Sequence, residues 1–182
     1  MNHIGTKVLE TENIILRPFT VEDAQDMYSN YGSDENVIKF LTWPLHTGAD
    51  VSRALLEDWC KEYSKPDYYN WAIVLKDINE VIGGISVVRA NEEIAQAEIG
   101  YCIGSKWWHR GYTSQSARAV TEFLIKEVGY NRVCARHAVP NPNSGGVMRK
   151  IGMTHEGTLR QGDKCNAGIV DVSIYSILAS EI

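Results

Sequence analysis

Two stretches of this chain hold residue types that could bind or move a charged group, and both lie in its second half. The first is Lys106-Trp107-Trp108-His109-Arg110-Gly111-Tyr112-Thr113-Ser114. It stands between a strand-like apolar run and the start of a helical pattern. There the leading backbone N–H groups lack acceptors and the helix dipole favours negative charge, so a phosphate can be held. Gly111 would let the backbone approach such a ligand closely. Alone, one glycine between a strand and a helix is only a turn. The second stretch runs from Val139 to Met153 through Pro140-Asn141-Pro142-Asn143-Ser144-Gly145-Gly146. Asn141 leaving a strand and Ser144 opening a helix present an amide and a hydroxyl at a strand's C-terminal edge. Alone, they read as turn and helix-cap residues.

Composition limits what these stretches can serve. The chain has 182 residues, enough for one domain with a substantial core, so residues 1–182 are read as a single domain. It is 44% hydrophobic and 23% charged, the balance of a globular protein. No apolar run reaches bilayer length, and Met1-Asn2-His3-Ile4-Gly5 lacks a basic-then-apolar leader. A cytoplasmic protein with no membrane partner is expected. Cys60, Cys102, Cys134 and Cys165 are far apart, and the five histidines form no H-E-x-x-H pattern. Buried thiols are expected, and no metal. The net charge of −5 argues against a nucleic-acid partner. Its distribution is uneven, with 8 basic and 14 acidic residues over 1–91 but 10 basic and 4 acidic over 106–164. The second region suits a polyanionic ligand, although solvated faces would give the same count.

The elements that must position these residues follow from periodicity. Asn13–Arg17 reads as a strand closed by Pro18, and Thr20 with Asp23 resembles a capping box ahead of Val21, Ala24, Met27 and Tyr28. Val51, Leu55, Trp59 and Tyr63 mark a second helix, stopped by Pro66. Tyr69–Leu75 and Val81–Val88 form a hairpin, followed by a strand over Ala97–Ile103. A helix runs from Gly111 to Gly129, a strand over Arg132–Val139, and a short helix over Ser144–Ile151. Strands near Thr154–Arg160 and Asp171–Leu178 end the chain. The order is β-α-α-β-β-β-α-β-α-β-β, an α/β domain with a mixed central sheet and helices on both faces.

In this order and spacing the stretches resemble the GNAT superfamily of N-acetyltransferases, and most of all its RimJ/RimL-like branch, which includes enzymes that acetylate the N-terminal amine of ribosomal proteins. Ala97-Glu98-Ile99-Gly100-Tyr101 is similar to that branch's A-E-I-G-Y strand, and Trp108–Thr113 to its W-G-K-G-Y-A pyrophosphate loop. Asn141-Pro142-Asn143-Ser144 with Lys150-Ile151-Gly152-Met153 resembles its N-P-x-S…K-L-G-F segment, and Asp171–Leu178 fits its last strand. The resemblance covers roughly residues 8–180 and is specific as a set. It implies a GNAT-type α/β (α+β) fold, with a mostly antiparallel sheet and one splayed strand pair. It also implies acetyl-CoA as cosubstrate, an amine as acceptor and a tendency towards homodimers.

The resemblance assigns sites as well. The backbone of His109, Arg110, Gly111, Tyr112, Thr113 and Ser114 would hold the pyrophosphate. The pantetheine arm would lie between the strands ending near Ile103 and Val139, with Asn141 binding the arm. The Ile103 N–H would donate to the thioester oxygen. Three departures alter the pattern. Thr113 replaces a Gly or Ala, Gly145-Gly146 replaces better helix formers at roughly 1 kcal/mol per residue, and Met148 stands where a sister branch has a proton-donating Tyr. That branch's base, a Glu, is replaced here by Arg136, which stays protonated. Glu98 then becomes the candidate base, its alternative being a salt-bridge partner. Ser144 becomes the candidate donor to the leaving sulfur, with Tyr101 and Tyr175 in reserve. Trp43, Pro44, Trp59, Tyr68, Tyr69 and Trp71 could line an acceptor cleft or simply fill the core. A protein or peptide N-terminal amine is the expected acceptor. A small amine such as a polyamine, aminoglycoside or amino acid is the first alternative, and a non-catalytic CoA-binding module the second.

Overall fold

The computed structural model describes all 182 residues. Eight strands form one sheet: β1 (Leu9–Glu10), β2 (Ile14–Arg17), β3 (Asn70–Leu75), β4 (Glu80–Asn91), β5 (Gln96–Ile103), β6 (Arg132–Ala138), β7 (Thr154–Cys165) and β8 (Gly168–Leu178). Their spatial order is β1-β2-β3-β4-β5-β6-β8-β7. Every neighbouring pair is antiparallel except β5 and β6, which are parallel. The parallel pair needs a crossover. It is supplied by helix α4 (Tyr112–Phe123) and a further helical turn to Val128. Gly129, in the left-handed region at φ 90°, ends that crossover. No helix is long and apolar enough to cross a membrane.

The sheet is covered on both faces, which is why β3 is buried at every position. Alternate residues serve different layers. Trp71, Ile73 and Leu75 face a core shared with Ala117 and Val120 of α4, with Leu124 of the turn that follows it and with Met148 of α5 (Pro142–Lys150). Ala72 and Val74 face a smaller core with Ala24 and Met27 of α1 (Ala24–Met27), Val37 of α2 (Glu35–Ile38) and Leu56 of α3 (Ala49–Glu62). The two-residue β1 and the four-residue α2 have no period long enough to read in a sequence. β7 and β8 extend further than the pattern over residues 161–170 suggests, because they form one long hairpin interrupted by irregular register between Leu159 and Asp163.

Helix α5 begins at Pro142, not at Ser144. Proline is favoured at a first helical position, where its missing N–H costs nothing. Ser144 therefore lies inside the first turn, and Asn141 is the cap residue. The two glycines of α5 have different reasons. A Cβ on Gly145 would stand 2.5 Å from Nε2 of His137, whereas one on Gly146 would meet only an Arg149 nitrogen at 4.0 Å. Gly145→Ala is therefore expected to overpack the helix–sheet contact and cost about 1–3 kcal/mol. Gly146→Ala should stabilise by up to about 1 kcal/mol through helix propensity. Thermal unfolding of the two variants checks this: the melting temperatures should move in opposite directions.

Candidate active site

Strands β5 and β6 pair only at Gln96–Arg132, Ala97–Val133 and Glu98–Cys134, and then part. Beyond that point β6 continues on β8 alone. The gap leaves backbone groups of β5 without a neighbouring strand. Gly104 N–H donates to the Ile82 carbonyl at 2.9 Å, so alternation turns the Ile103 N–H to the opposite edge, into the gap. The Trp108 indole donates to the Ile103 carbonyl at 2.9 Å and fixes the loop that follows.

On the α4–α5 side of the gap lies a cleft of about 630 Å³. Of the site residues expected from the sequence, Ile103, His109, Gly111, Thr113, Ser114, Asn141 and Ser144 line it; Arg110 and Tyr112 do not. Two residues of the loop are left-handed, His109 at φ 61° and Gly111 at φ 82°. Such backbone turns gather successive N–H groups into an anion-binding concavity. From His109 through Ser114, no backbone N–H finds an acceptor among the loop and cap hydrogen bonds. All three charged or titratable nitrogen side chains on the lining, His109, Arg149 and Lys150, are basic, and no carboxylate joins them. The surplus of positive charge over residues 106–164 is thus partly gathered here. Free N–H donors, cationic walls and an open strand edge fit a pyrophosphate with an amide-bearing arm. Arg149 was legible only as the last turn of a helix, and Lys150 as that and as the first residue of the Lys150–Met153 segment. The fold is what brings Lys150 across to Gly111, where a Cβ would lie 3.5 Å from its Nζ.

On the other side of the gap is a second cleft of about 530 Å³. Trp43 and Trp59 are on its wall, as expected. Pro44, Tyr68, Tyr69 and Trp71 are not. Tyr69 and Trp71 are core residues, 2% and 0% exposed, packed with Phe123. The two clefts meet at Phe40, Leu41, Tyr101, Cys102, Asn141 and Ser144, which line both. The Phe40–Trp43 loop is held over this junction by Asn166, at the β7–β8 turn. Asn166 donates from its N–H to Leu41 O at 3.0 Å and from its amide to Ile38 O and Trp43 O at 3.0 and 2.8 Å.

At the junction the Tyr101 hydroxyl donates to the Ser144 carbonyl at 2.9 Å, and Ser144 Oγ lies 3.3 Å from the Tyr101 hydroxyl. Burial pushes the Tyr101 phenol well above the ordinary tyrosine range, so it keeps its proton at neutral pH. Burial likewise pushes the neighbouring Cys102 thiol up to about 11. Tyr175 lines neither cleft and accepts a hydrogen bond from Arg149 at 3.1 Å. Met148, 1% exposed, belongs to the core. The Asn141 side chain makes no cap hydrogen bond. Asn141→Ala should therefore leave the melting temperature nearly unchanged while raising KM for acetyl-CoA several-fold. Steady-state kinetics beside a melting curve separate the two effects.

Glu98 lies where the strands part. Its side chain is 9% exposed, with Arg136 Nε at 2.7 Å from Oε1 and Arg136 Nη2 at 2.8 Å from Oε2. Arg89 Nη1 is 3.9 Å from Oε2. The hydrogen bond to Glu98 raises the Arg136 guanidinium above even its ordinary value. The carboxylate is thus engaged on both oxygens, the arrangement of an ion pair. No group of three or more His, Cys, Asp or Glu could hold a metal ion.

Residues 13–154 match the acetyltransferase (GNAT) domain family. The chain belongs to the GNAT acetyltransferase family. This acetyltransferase is 28% identical over 176 residues to the N-acetyltransferase p20 of Bacillus licheniformis, covering 96% of this chain and 98% of p20. It is 29% identical over 109 residues to the ribosomal-protein-serine acetyltransferase of Escherichia coli, 60% of either chain. A GNAT-family acetyltransferase structure from Bacillus anthracis superimposes with a TM-score of 0.84 at 26% identity, covering 96% of this chain and 100% of that one. The enzyme therefore draws its acetyl group from acetyl-CoA, and its sheet, mostly antiparallel with one splayed parallel pair, is that of the family.

Proposed function

We propose that this acetyltransferase modifies the N-terminal amine of a protein or peptide. The single observation that carries this reading is the second cleft. It is open and aromatic-walled, and it joins the cofactor cleft at Tyr101 and Ser144. A chain end entering it would bring its terminal nitrogen to the gap. The name of the Escherichia coli relative supports a ribosomal protein as one such acceptor. A cytoplasmic site of action and a homodimeric assembly are part of the same reading.

Acetyl-CoA supplies an activated thioester, so the residues have only to position and to handle protons. The N–H groups of His109 to Ser114 hold the pyrophosphate, with Lys150 adding charge. Asn141 and the free edge of β5 bind the arm. The Ile103 N–H donates to the carbonyl oxygen as the amine nitrogen attacks the carbonyl carbon and the carbon–sulfur bond breaks. Ser144, with the Tyr101 hydroxyl beside it, donates to the departing sulfur. The proton of the ammonium leaves to water, while the Glu98–Arg136 pair fixes the mouth of the gap.

An α-amine suits this arrangement. Its pKa near 8 leaves more of it neutral at pH 7 than a lysine side chain near 10.4, so no strong base is needed. Replacing both hydroxyls, in Ser144→Ala with Tyr101→Phe, should lower kcat by about 10²-fold or more and leave acetyl-CoA affinity within a few-fold. Loss of CoA binding in parallel with kcat would instead make the pair part of the cofactor site. The acceptor class is tested by thiol release from acetyl-CoA against peptides, a polyamine and an aminoglycoside. Peptides should give the highest kcat/KM. Turnover confined to the small amines would overturn the peptide reading, and CoA binding with no thiol release on any amine would favour a non-catalytic module.

A further inference from the structure

The acidic N-terminal half suggests a cationic acceptor, but the acceptor cleft itself does not carry that charge. Among its lining residues the fixed charges are Arg89, Arg136 and Lys164 against Glu98 and Asp163. The cleft is thus cationic by one charge in a chain whose net charge is −5. The acids of the first half lie elsewhere. Asp23 is closed in an ion pair with Arg17, and Asp58 and Glu62 are paired with lysines along α3.

Within the cleft the charges are unequally satisfied. Glu98 is held on both oxygens by Arg136. Arg89 reaches Glu98 only at 3.9 Å, makes no hydrogen bond of its own, and has a side chain 63% exposed. Its position is built by the strand. A bulge between Val87 and Arg89 sets Arg89, and not Val88, opposite Glu98, because the extra residue shifts the alternation of faces. The displaced Val88 lies over Gly100, where a Cβ would meet it at 2.9 Å. The bulge therefore delivers a guanidinium with open donors to the wall of the acceptor cleft. Asp163 is turned to its own strand, accepting from the Lys164 N–H at 2.8 Å.

We propose that Arg89 selects acceptors whose amine is accompanied by a carboxylate, in the first instance peptides with an acidic residue next to the terminal amine. The inference rests on the peptide-acceptor reading and deepens it. A guanidinium with free donors binds a carboxylate in a planar, two-pronged geometry. A polycation would enter against the unpaired Arg89 and the cleft's surplus of one positive charge.

The test is a set of peptides identical except for Asp, Ala or Lys at the second residue, assayed with wild type, Arg89→Ala, Arg89→Lys and Arg89→Glu. A parallel arm compares free aspartate and glutamate with putrescine and spermidine. Wild type should prefer Asp over Ala by about two- to fivefold in kcat/KM, with Lys lowest, the range of one exposed charge pair. The order should flatten in Arg89→Ala, persist in part in Arg89→Lys and invert in Arg89→Glu, with KM for acetyl-CoA unchanged. Added salt should compress it. A wild-type preference for the Lys peptide or for spermidine would overturn the inference, as would an unchanged order in Arg89→Ala. If no peptide is acetylated but aspartate outruns spermidine, the peptide reading fails and the charge inference stands.

Discussion

Gly111→Val should remove most CoA affinity from a protein that still folds. The reason is conformational. Gly111 sits at φ 82° as the cap residue of α4, a region that costs an ordinary L-residue about 1–2 kcal/mol and a β-branched one more. Space is not the obstacle, since the nearest atom to an added Cβ, Lys150 Nζ, would be 3.5 Å away. To relieve the strain, the backbone would rotate out of the left-handed region. The N–H groups from His109 to Ser114 would then no longer converge on one anion. Each charge-assisted hydrogen bond is worth roughly 1.5–3 kcal/mol, so losing two weakens CoA binding by about a hundredfold or more. Gly111→Ala should fall between the two. Calorimetric titration with CoA, beside a melting curve, reads both effects. Wild-type affinity in folded Gly111→Val would remove this loop from the cofactor site.

Arg136→Ala should be among the most damaging substitutions in the chain. It would leave Glu98, whose side chain is 9% exposed, as a buried carboxylate with only the distant Arg89 for compensation. Breaking such a pair by removing one partner costs about 3–5 kcal/mol. Glu98→Gln in the same background should restore much of the loss, because the amide carries no charge to strand. Chemical denaturation of the wild type, both single variants and the double variant yields the coupling. A small coupling would mean that the two residues act separately. The same Glu98→Gln variant also separates the two roles open to Glu98. Within the ion pair its loss should leave the acid limb of the pH–rate profile in place. A profile that loses its acid limb would make Glu98 the proton acceptor.

What the sequence carried is visible in these two residues. Gly111 alone read as a turn, and it was the order and spacing of the surrounding motifs that marked the loop. To the reason read from the sequence, close approach of a ligand, the structure adds a second, its left-handed φ. The strands and long helices were legible from their periods, since each is a local repeat. Glu98 was legible as a position but not as a role. Its partner lies on another strand, 38 residues away, and only the register of β5 on β6 brings them together. The aromatic residues divided in the same way. Trp43 and Trp59 face the cleft while Tyr69 and Trp71 fill the core, a choice of face that β3 hides because both of its faces are buried. The clamp at Asn166 had no signal at all, because it acts across the fold, and the cationic end of α5 was legible as a motif and a surplus of charge but not as a neighbour of Gly111.

The most direct measurement is the location of the acetyl group on a peptide that carries both a free N-terminal amine and a lysine. After incubation with acetyl-CoA and the enzyme, fragment masses of the product place the modification. Acetyl should be found on the α-nitrogen alone. Acetyl on the lysine side chain, or an unmodified peptide in the presence of enzyme that binds CoA, would contradict it.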